Sequence, residues 1–334
     1  MRRVWIRALQ VLWAGAVAGG VLELFLRLTV PWQPGYYDVR RDPGHTVRYA
    51  YGEYKTDPWG FADDRPAPGD RRRRVAWIGD SVLYGVGCPQ DRRLTERLEA
   101  ADPAVVHLNL GSPGFSGDPP SELDTALNLA GKLGASRAVW LFNLNDVMPP
   151  KGREPDGWRL RRLPFQSRLS ASYLWSSLDA TVMAFQVRWF QIVPLENQPE
   201  RNAPDFQTTA DRVRAAVGRF ERARIPLRVV IVPYEMQISA EAEAFYADAG
   251  VAWEDGFVGG SAQRALIERL EGIDVVDALP AFVGPDRRRE DNALGEYFVA
   301  TGGGRLDWNH LNPAGHARLA DWLVSSGWQA RLFE

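Results

Sequence analysis

Five short apolar runs recur along the chain, at 75–78, 105–110, 138–142, 228–232 and 275–276, with amphipathic stretches between them. Runs this short and this largely apolar suit strands buried on both faces, and the helical stretches supply the crossovers that parallel strands need. The spacing predicts helices near 92–101, 121–133, 205–224, 241–248, 261–270 and 313–325. The expected fold class is therefore α/β, a parallel five-stranded sheet with helices over both faces. No internal repeat is visible.

Composition narrows the function. At 334 residues and 45% hydrophobic, the chain holds enough apolar material for one large core, which excludes a disordered, fibrous or polytopic membrane protein. Lys plus Arg number 40 against 42 Asp plus Glu, so no overall attraction to nucleic acid is expected. All the basic residues are arginine except Lys55, Lys132 and Lys151, which reads as coding bias. Cys88 stands alone, excluding an internal disulfide and a two-cysteine metal site. No pair among His45, His107, His310 and His316 has the usual ligand spacing, so neither metal nor cofactor is expected; His107 and His316 read as packed residues.

The chain divides into residues 1–30, an N-terminal transmembrane anchor; 31–70, a linker of extended segments and turns; and 71–334, the α/β domain. Arg2, Arg3 and Arg7 precede an apolar run at 8–26 that only Gln10 and Glu23 interrupt. On a helix that run reaches about 28 Å, close to the roughly 30 Å of a bilayer's hydrocarbon core, and Glu23 and Arg27 fall four apart, where they can pair. Two other readings stand beside the anchor: a signal peptide cleaved after Ala16-Val17-Ala18, and a helix that is simply core. The anchor is preferred because Val21, Leu22, Leu24, Phe25 and Leu26 extend the pattern past that cleavage point. The positive-inside rule then puts the domain outside the cytoplasm, periplasmic or extracellular, with the bilayer contacted through this helix. Arg71 to Arg74 read as a solvated lead-in to the first strand rather than a phosphate patch. An insertion at 149–204 carries Trp158, Tyr173, Leu174, Trp175, Met183, Phe185, Trp189 and Phe190, which either pack or form a substrate cap.

Ligands of a parallel α/β sheet bind beyond the carboxyl ends of its strands. The first run leads into Gly79-Asp80-Ser81, the second ends at Asn109 and continues to Gly114, and the third leads into Asn143-Leu144-Asn145-Asp146. Asp307-Trp308-Asn309-His310 precedes the last helix. A second Asp-x-x-His, Asp42 to His45, falls in the linker as a decoy. Each block alone is weak, and their order and placement give them weight.

Four blocks in this order resemble the SGNH, or GDSL-type, hydrolase family, over about residues 73–328. Val82 stands where the family name has leucine, and Asn143 replaces the glycine of the third block. The resemblance implies a three-layer α/β/α flavodoxin-like fold and an ester-hydrolysing or acyl-transferring site. It gives Gly114 an oxyanion role and matches Asn145 to the functional asparagine.

The chemistry can also be argued from the groups themselves. Ser81 needs a base to take its proton, His310 is the candidate, and Asp307 can fix the imidazole tautomer. Charge developing on an ester oxygen can be met by the Ser81 and Gly114 N–H groups and the Asn145 amide. Asp80 beside the serine reads as a residue that shapes the turn. The expected function is a membrane-anchored serine esterase acting on O-acyl esters of a small molecule or an envelope or secreted polysaccharide. Two alternatives are an O-acyltransferase fed by a membrane protein partner, and a catalytically idle scaffold or binding subunit.

Overall fold

Strands that are apolar on both faces need a helical layer on each side, and the chain provides two. The structure, a computed structural model, describes residues 2–29, 46–49, 52–61, 63, 65–67, 69–117, 120–148, 174, 178, 194–284, 288–299 and 307–334. Its elements begin with α1 (Arg2–Thr29) and a hairpin of β1 (Thr46–Tyr49) and β2 (Gly52–Lys55). The domain follows as β3 (Arg73–Gly79), α2 (Ser81–Tyr84), α3 (Leu94–Ala101), β4 (Val105–Gly111), α4 (Pro120–Lys132) and β5 (Arg137–Asn143). It continues with α5 (Ala203–Arg222), β6 (Leu227–Val232), α6 (Glu235–Ile238), α7 (Ala240–Asp248) and α8 (Ser261–Arg269). It closes with β7 (Val275–Asp277), α9 (Leu279–Phe282), α10 (Pro313–Ser325) and α11 (Trp328–Arg331).

Strands β3 to β7 form one parallel sheet in the order β4-β3-β5-β6-β7. Counted within the sheet this is 2-1-3-4-5, the flavodoxin-like order. The winding reverses between β3 and β5, so the crevice for a ligand opens at the ends of those two strands. Alternate strand residues feed two cores. Ala76, Ile78, Leu108, Trp140, Phe142 and Ile231 pack with α4, α5 and α8 through Leu129, Phe206, Val213, Phe220 and Leu266. Val75, Trp77, Val139, Leu141, Val230 and Val232 pack with α3, α9, α10 and α11 through Leu98, Phe282, Leu319, Leu323 and Trp328.

The packed reading of two histidines agrees with the structure. His107 is buried, accepts the Trp77 Nε1–H at 2.9 Å on Nδ1, and is held neutral by burial, its pKa near 3. His316 is buried in α10, takes the Leu94 N–H at 3.3 Å, and is likewise pushed down to about 3 by burial, with Arg93 and Arg97 adding to it. The arginine run is bound into the fold. Arg72 pairs with Asp70 and Glu99, Arg73 lies over the Phe333 ring at 4.0 Å, and Arg74 donates to the Leu133 and Asp70 carbonyls. Three of its four guanidiniums are thereby committed to the domain's own surface.

Part of the transmembrane anchor expected over 1–30 falls on described residues. Residues Arg2–Thr29 do form a 28-residue helix, and the expected pair is made, with Arg27 Nε 2.8 Å from Glu23 Oε1. Yet among the described residues no helix is long and apolar enough to cross a membrane. Within the expected linker, the part that is described includes the hairpin, and Lys55 N–H reaches Gln90 Oε1 at 3.0 Å. His45, and the insertion residues Trp158, Tyr173, Trp175, Met183, Phe185, Trp189 and Phe190, lie outside the described residues. Leu174 is described, and its N–H donates to Glu23 Oε2 at 2.8 Å.

Candidate active site

At the end of β3 the chain turns straight into α2. Asp80 is the N-cap, extended at φ −88° and ψ −150°, and its Oδ1 accepts the Val82 N–H at 2.8 Å, so its side chain shapes the turn. Ser81 is thereby fixed as the first residue of a helix at the sheet edge. That helix lies hard against the end of β4: a Cβ on Gly111 would come 2.4 Å from Tyr84 N. Only glycine permits this approach. One residue further, Ser112 N–H donates to Gly79 O at 2.9 Å, and Phe115 N–H closes a turn on Ser112 O at 2.8 Å. Gly114 in that turn has φ +79°, the left-handed region, and a Cβ there would meet nothing within 4 Å. Its main chain therefore lines an open rim.

Asn143 ends β5 at φ −102° and ψ 147°, ordinary extended backbone that needs no glycine. Its Oδ1 caps the Asn145 N–H at 3.2 Å, a role glycine could not fill. Asn145 is exposed, and its side chain hydrogen-bonds the Asp80 carboxyl. An amide nitrogen carries two hydrogens, so donation to Asp80 leaves one for a ligand.

The last block arrives from the turn before α10. Asn312 caps that helix, accepting from Ala314 N–H at 2.8 Å and Gly315 N–H at 3.0 Å, while its amide donates to the carbonyls of Gly295, Glu296 and Phe298. Val299 N–H donates to His310 O at 2.9 Å. With the turn held in this way, His310 Nδ1 lies 2.9 and 3.0 Å from the two Asp307 carboxylate oxygens, and His310 Nε2 lies 2.8 Å from Ser81 Oγ. Asp307 and His310 are both buried, and Ser81 is partly exposed.

The structure thus brings Ser81, His310 and Asp307 into one hydrogen-bonded row and puts Asn145 on Asp80 next to it. Gly114 lies on the adjoining β4 turn. Sequence reasoning missed the anchoring of the turn by Asn312, although Asn followed by Pro before an apolar helix is a readable N-cap signal. It also missed the second work of Asp80, which holds Asn145. Among the described residues no group of three or more His, Cys, Asp or Glu could hold a metal ion.

Burial opposes the charged form of His310, but the Asp307 and Asp80 carboxylates outweigh it and leave its pKa raised above the ordinary value. Burial in turn pushes Asp80 up, against the Val82 N–H, His310 and Asn145. Asp146 is driven up by burial and by the Asp80 charge. A base must be neutral to accept a proton, so if His310 is the base for Ser81 in ester cleavage, kcat/KM should fall on the acid side through a pKa above the roughly 6.5 of a free histidine. A pH profile of the wild type checks this, and an acid limb centred at or below 6.5 would contradict it.

No family model matches the chain, and no curated protein matches it. Among solved structures it is similar to a GDSL-like lipase from Bacteroides thetaiotaomicron, at 12% identity and TM-score 0.38, over 80% of this chain and 93% of that one. It is also similar to a carbohydrate acetylesterase from Sinorhizobium meliloti, at 14% identity and TM-score 0.36, over 78% and 100% of the two chains. A third likeness is to a member of the lipolytic protein G-D-S-L family from Veillonella parvula, at 14% identity and TM-score 0.36, over 76% and 97%.

Proposed function

We propose that this chain is a serine ester hydrolase of the SGNH type. The observation that carries the reading is the continuous row from Ser81 Oγ through His310 to Asp307, at 2.8 Å on one ring nitrogen and 2.9 Å on the other. Ser81 Oγ attacks the ester carbonyl carbon while His310 Nε2 takes its proton, and Asp307 holds Nδ1–H and stabilises the imidazolium. The oxyanion is met by the Ser81 and Gly114 N–H groups and the remaining Asn145 hydrogen. Collapse expels the alcohol, which receives the proton from His310, and leaves Ser81 acylated. Water then attacks this ester with His310 again as base, releasing the acid and restoring Ser81.

The open rim at Gly114 and exposed Asn145 leave room for a bulky substrate, and an O-acylated carbohydrate is the substrate class we favour. We assign α1 as the chain's contact with a lipid bilayer and place the domain on the extracytoplasmic side. Support for this comes from Trp13 and Leu28, 73% and 77% exposed, with Val17, Val21, Leu24 and Phe25 exposed between them, behind three N-terminal arginines. Resistance of the membrane-bound chain to alkaline carbonate extraction checks that assignment. For the activity, the full-length chain is given acetylated oligosaccharide and aryl esters of short and long acyl chains, with unmodified oligosaccharide as acceptor. Mass spectrometry should find free acid as the main product. Acylated sugar dominating at modest acceptor concentration would make the protein an acyltransferase.

A further inference from the structure

Glu235 opens α6 and is 1% exposed, yet no step of the ester chemistry uses it. Its N–H donates to Trp308 O at 2.9 Å, and its Oε1 accepts the Gly295 N–H at 2.6 Å. Its Oε2 lies 2.7 Å from Tyr246 Oη. Tyr246, wholly buried on α7, places the same Oη 3.0 Å from the main-chain oxygen of Asp307, and its ring meets Trp308 edge to face at 5.7 Å. A phenol owns one hydrogen, and here it faces two oxygens. The Asp307 carbonyl can only accept. For both contacts to be hydrogen bonds, the hydrogen between Tyr246 and Glu235 must belong to Glu235.

We propose that Glu235, as a neutral acid, is a positioning residue for the triad: it donates to Tyr246 Oη, Tyr246 donates to the Asp307 carbonyl, and this relay fixes the turn that carries Asp307 and His310. When Glu235 ionises it takes the phenol's hydrogen for itself, Asp307 O loses its donor, and turnover falls. The proposal rests on the reading of Ser81, His310 and Asp307 as the catalytic row.

The groups around Glu235 favour the neutral form near neutrality. Burial, with the charges of Asp307 and Glu241 adding to it and the Tyr246 and Gly295 bonds opposing it, pushes its pKa up to about 7. Tyr246 and Glu241 face it from α7, and Asp307 faces it from the turn, its carboxylate engaged by His310. Among the described residues Arg289 lies beside α6, and it is committed to the carbonyls of Met236, Gln237 and Ser239 and to the Glu243 carboxylate. Ionisation of Glu235 therefore adds a second negative charge near Asp307.

The test measures kcat and KM for an aryl acetate from pH 5.5 to 9.5 in wild type, Glu235→Gln and Tyr246→Phe. A glutamine amide donates to Tyr246 and accepts from Gly295 at every pH, so it holds the relay closed. Wild-type kcat is expected to fall about tenfold on an alkaline limb, a modest share of what displacing a catalytic group can cost. Glu235→Gln should lose that limb and exceed wild type about tenfold at pH 9. Tyr246→Phe should be about tenfold slower in kcat at all pH, with KM held and no alkaline limb. An alkaline limb in Glu235→Gln matching wild type overturns the proposal, as does wild-type kcat in Tyr246→Phe. A wild type without ester turnover at any pH would instead overturn the esterase reading.

Discussion

Replacing Ser81 or His310 by alanine is expected to lower ester turnover by about 10⁶, because the members of a nucleophile–base pair act as a unit and either deletion removes the covalent route. What survives comes from the oxyanion donors and binding alone, and the double variant should be no slower than either single one. Asp307→Asn should cost about 10⁴, since it leaves the geometry but offers Nδ1 a partner that favours the wrong tautomer. All three side chains sit at the sheet edge on elements fixed by other contacts. Ser81 is held by the Asp80 cap and the Gly111 approach, and His310 by Val299 and Asn312. The variants should therefore keep the wild-type fold, checked by circular dichroism alongside the kinetics. A Ser81→Ala protein that retained turnover within a hundredfold of wild type would place the nucleophile elsewhere.

Asn145→Ala carries the second large effect, a loss of about 10² to 10³ in kcat with KM little changed. The amide hydrogen it offers is useful only once charge develops on the substrate oxygen, and a donor of that kind acts on the transition state rather than on ground-state binding. Its tie to Asp80 adds a diagnostic. Asn145→Ala also frees the Asp80 carboxyl of a donor, so Asp80 should become still harder to ionise. Asn145→Asp should fall at least as far as alanine, because it would set one carboxyl against another in the same place. A loss expressed mainly in KM would assign Asn145 to substrate binding instead.

The larger elements were legible because their signals are local. The run at 228–232 is apolar on both faces, and it is a strand over Leu227–Val232; the stretch at 313–325 has a cap, a proline at its start and an apolar face, and it is the helix Pro313–Ser325. Helices of four residues were not legible. Ser81–Tyr84, Glu235–Ile238, Leu279–Phe282 and Trp328–Arg331 are each about one turn, too short for a helical period to register, and tertiary contacts decide them. The hairpin pairs Tyr49 with Gly52, and the sequence between them, Ala50-Tyr51, lacks the Asn-Gly or Asp-Gly signal that would have announced it.

The site divides in the same way. Its polar groups could be placed because a parallel sheet collects the ends of its strands on one edge, so order along the chain becomes proximity in space. Asn143 illustrates the limit: a residue that departs from a family pattern is readable as a departure, but its role as a cap on Asn145 needed backbone angles. The Glu235–Tyr246–Asp307 contacts join positions 61 and 11 residues apart, and no spacing rule relates them. The N-terminal helix was legible as a helix, including its Glu23–Arg27 pair, whereas what surrounds it is a property of the environment and not of periodicity.

The central claim is that Ser81 is an activated nucleophile. It is tested most directly by treating the full-length chain with a serine-directed fluorophosphonate near neutral pH and mapping the adduct by peptide mass spectrometry. A single adduct on Ser81, formed in step with loss of ester turnover and absent in His310→Ala, is the expected result. An adduct on another residue, or an unlabelled Ser81 in a protein that still hydrolyses esters, would contradict it; no adduct and no turnover would leave the idle scaffold as the correct reading.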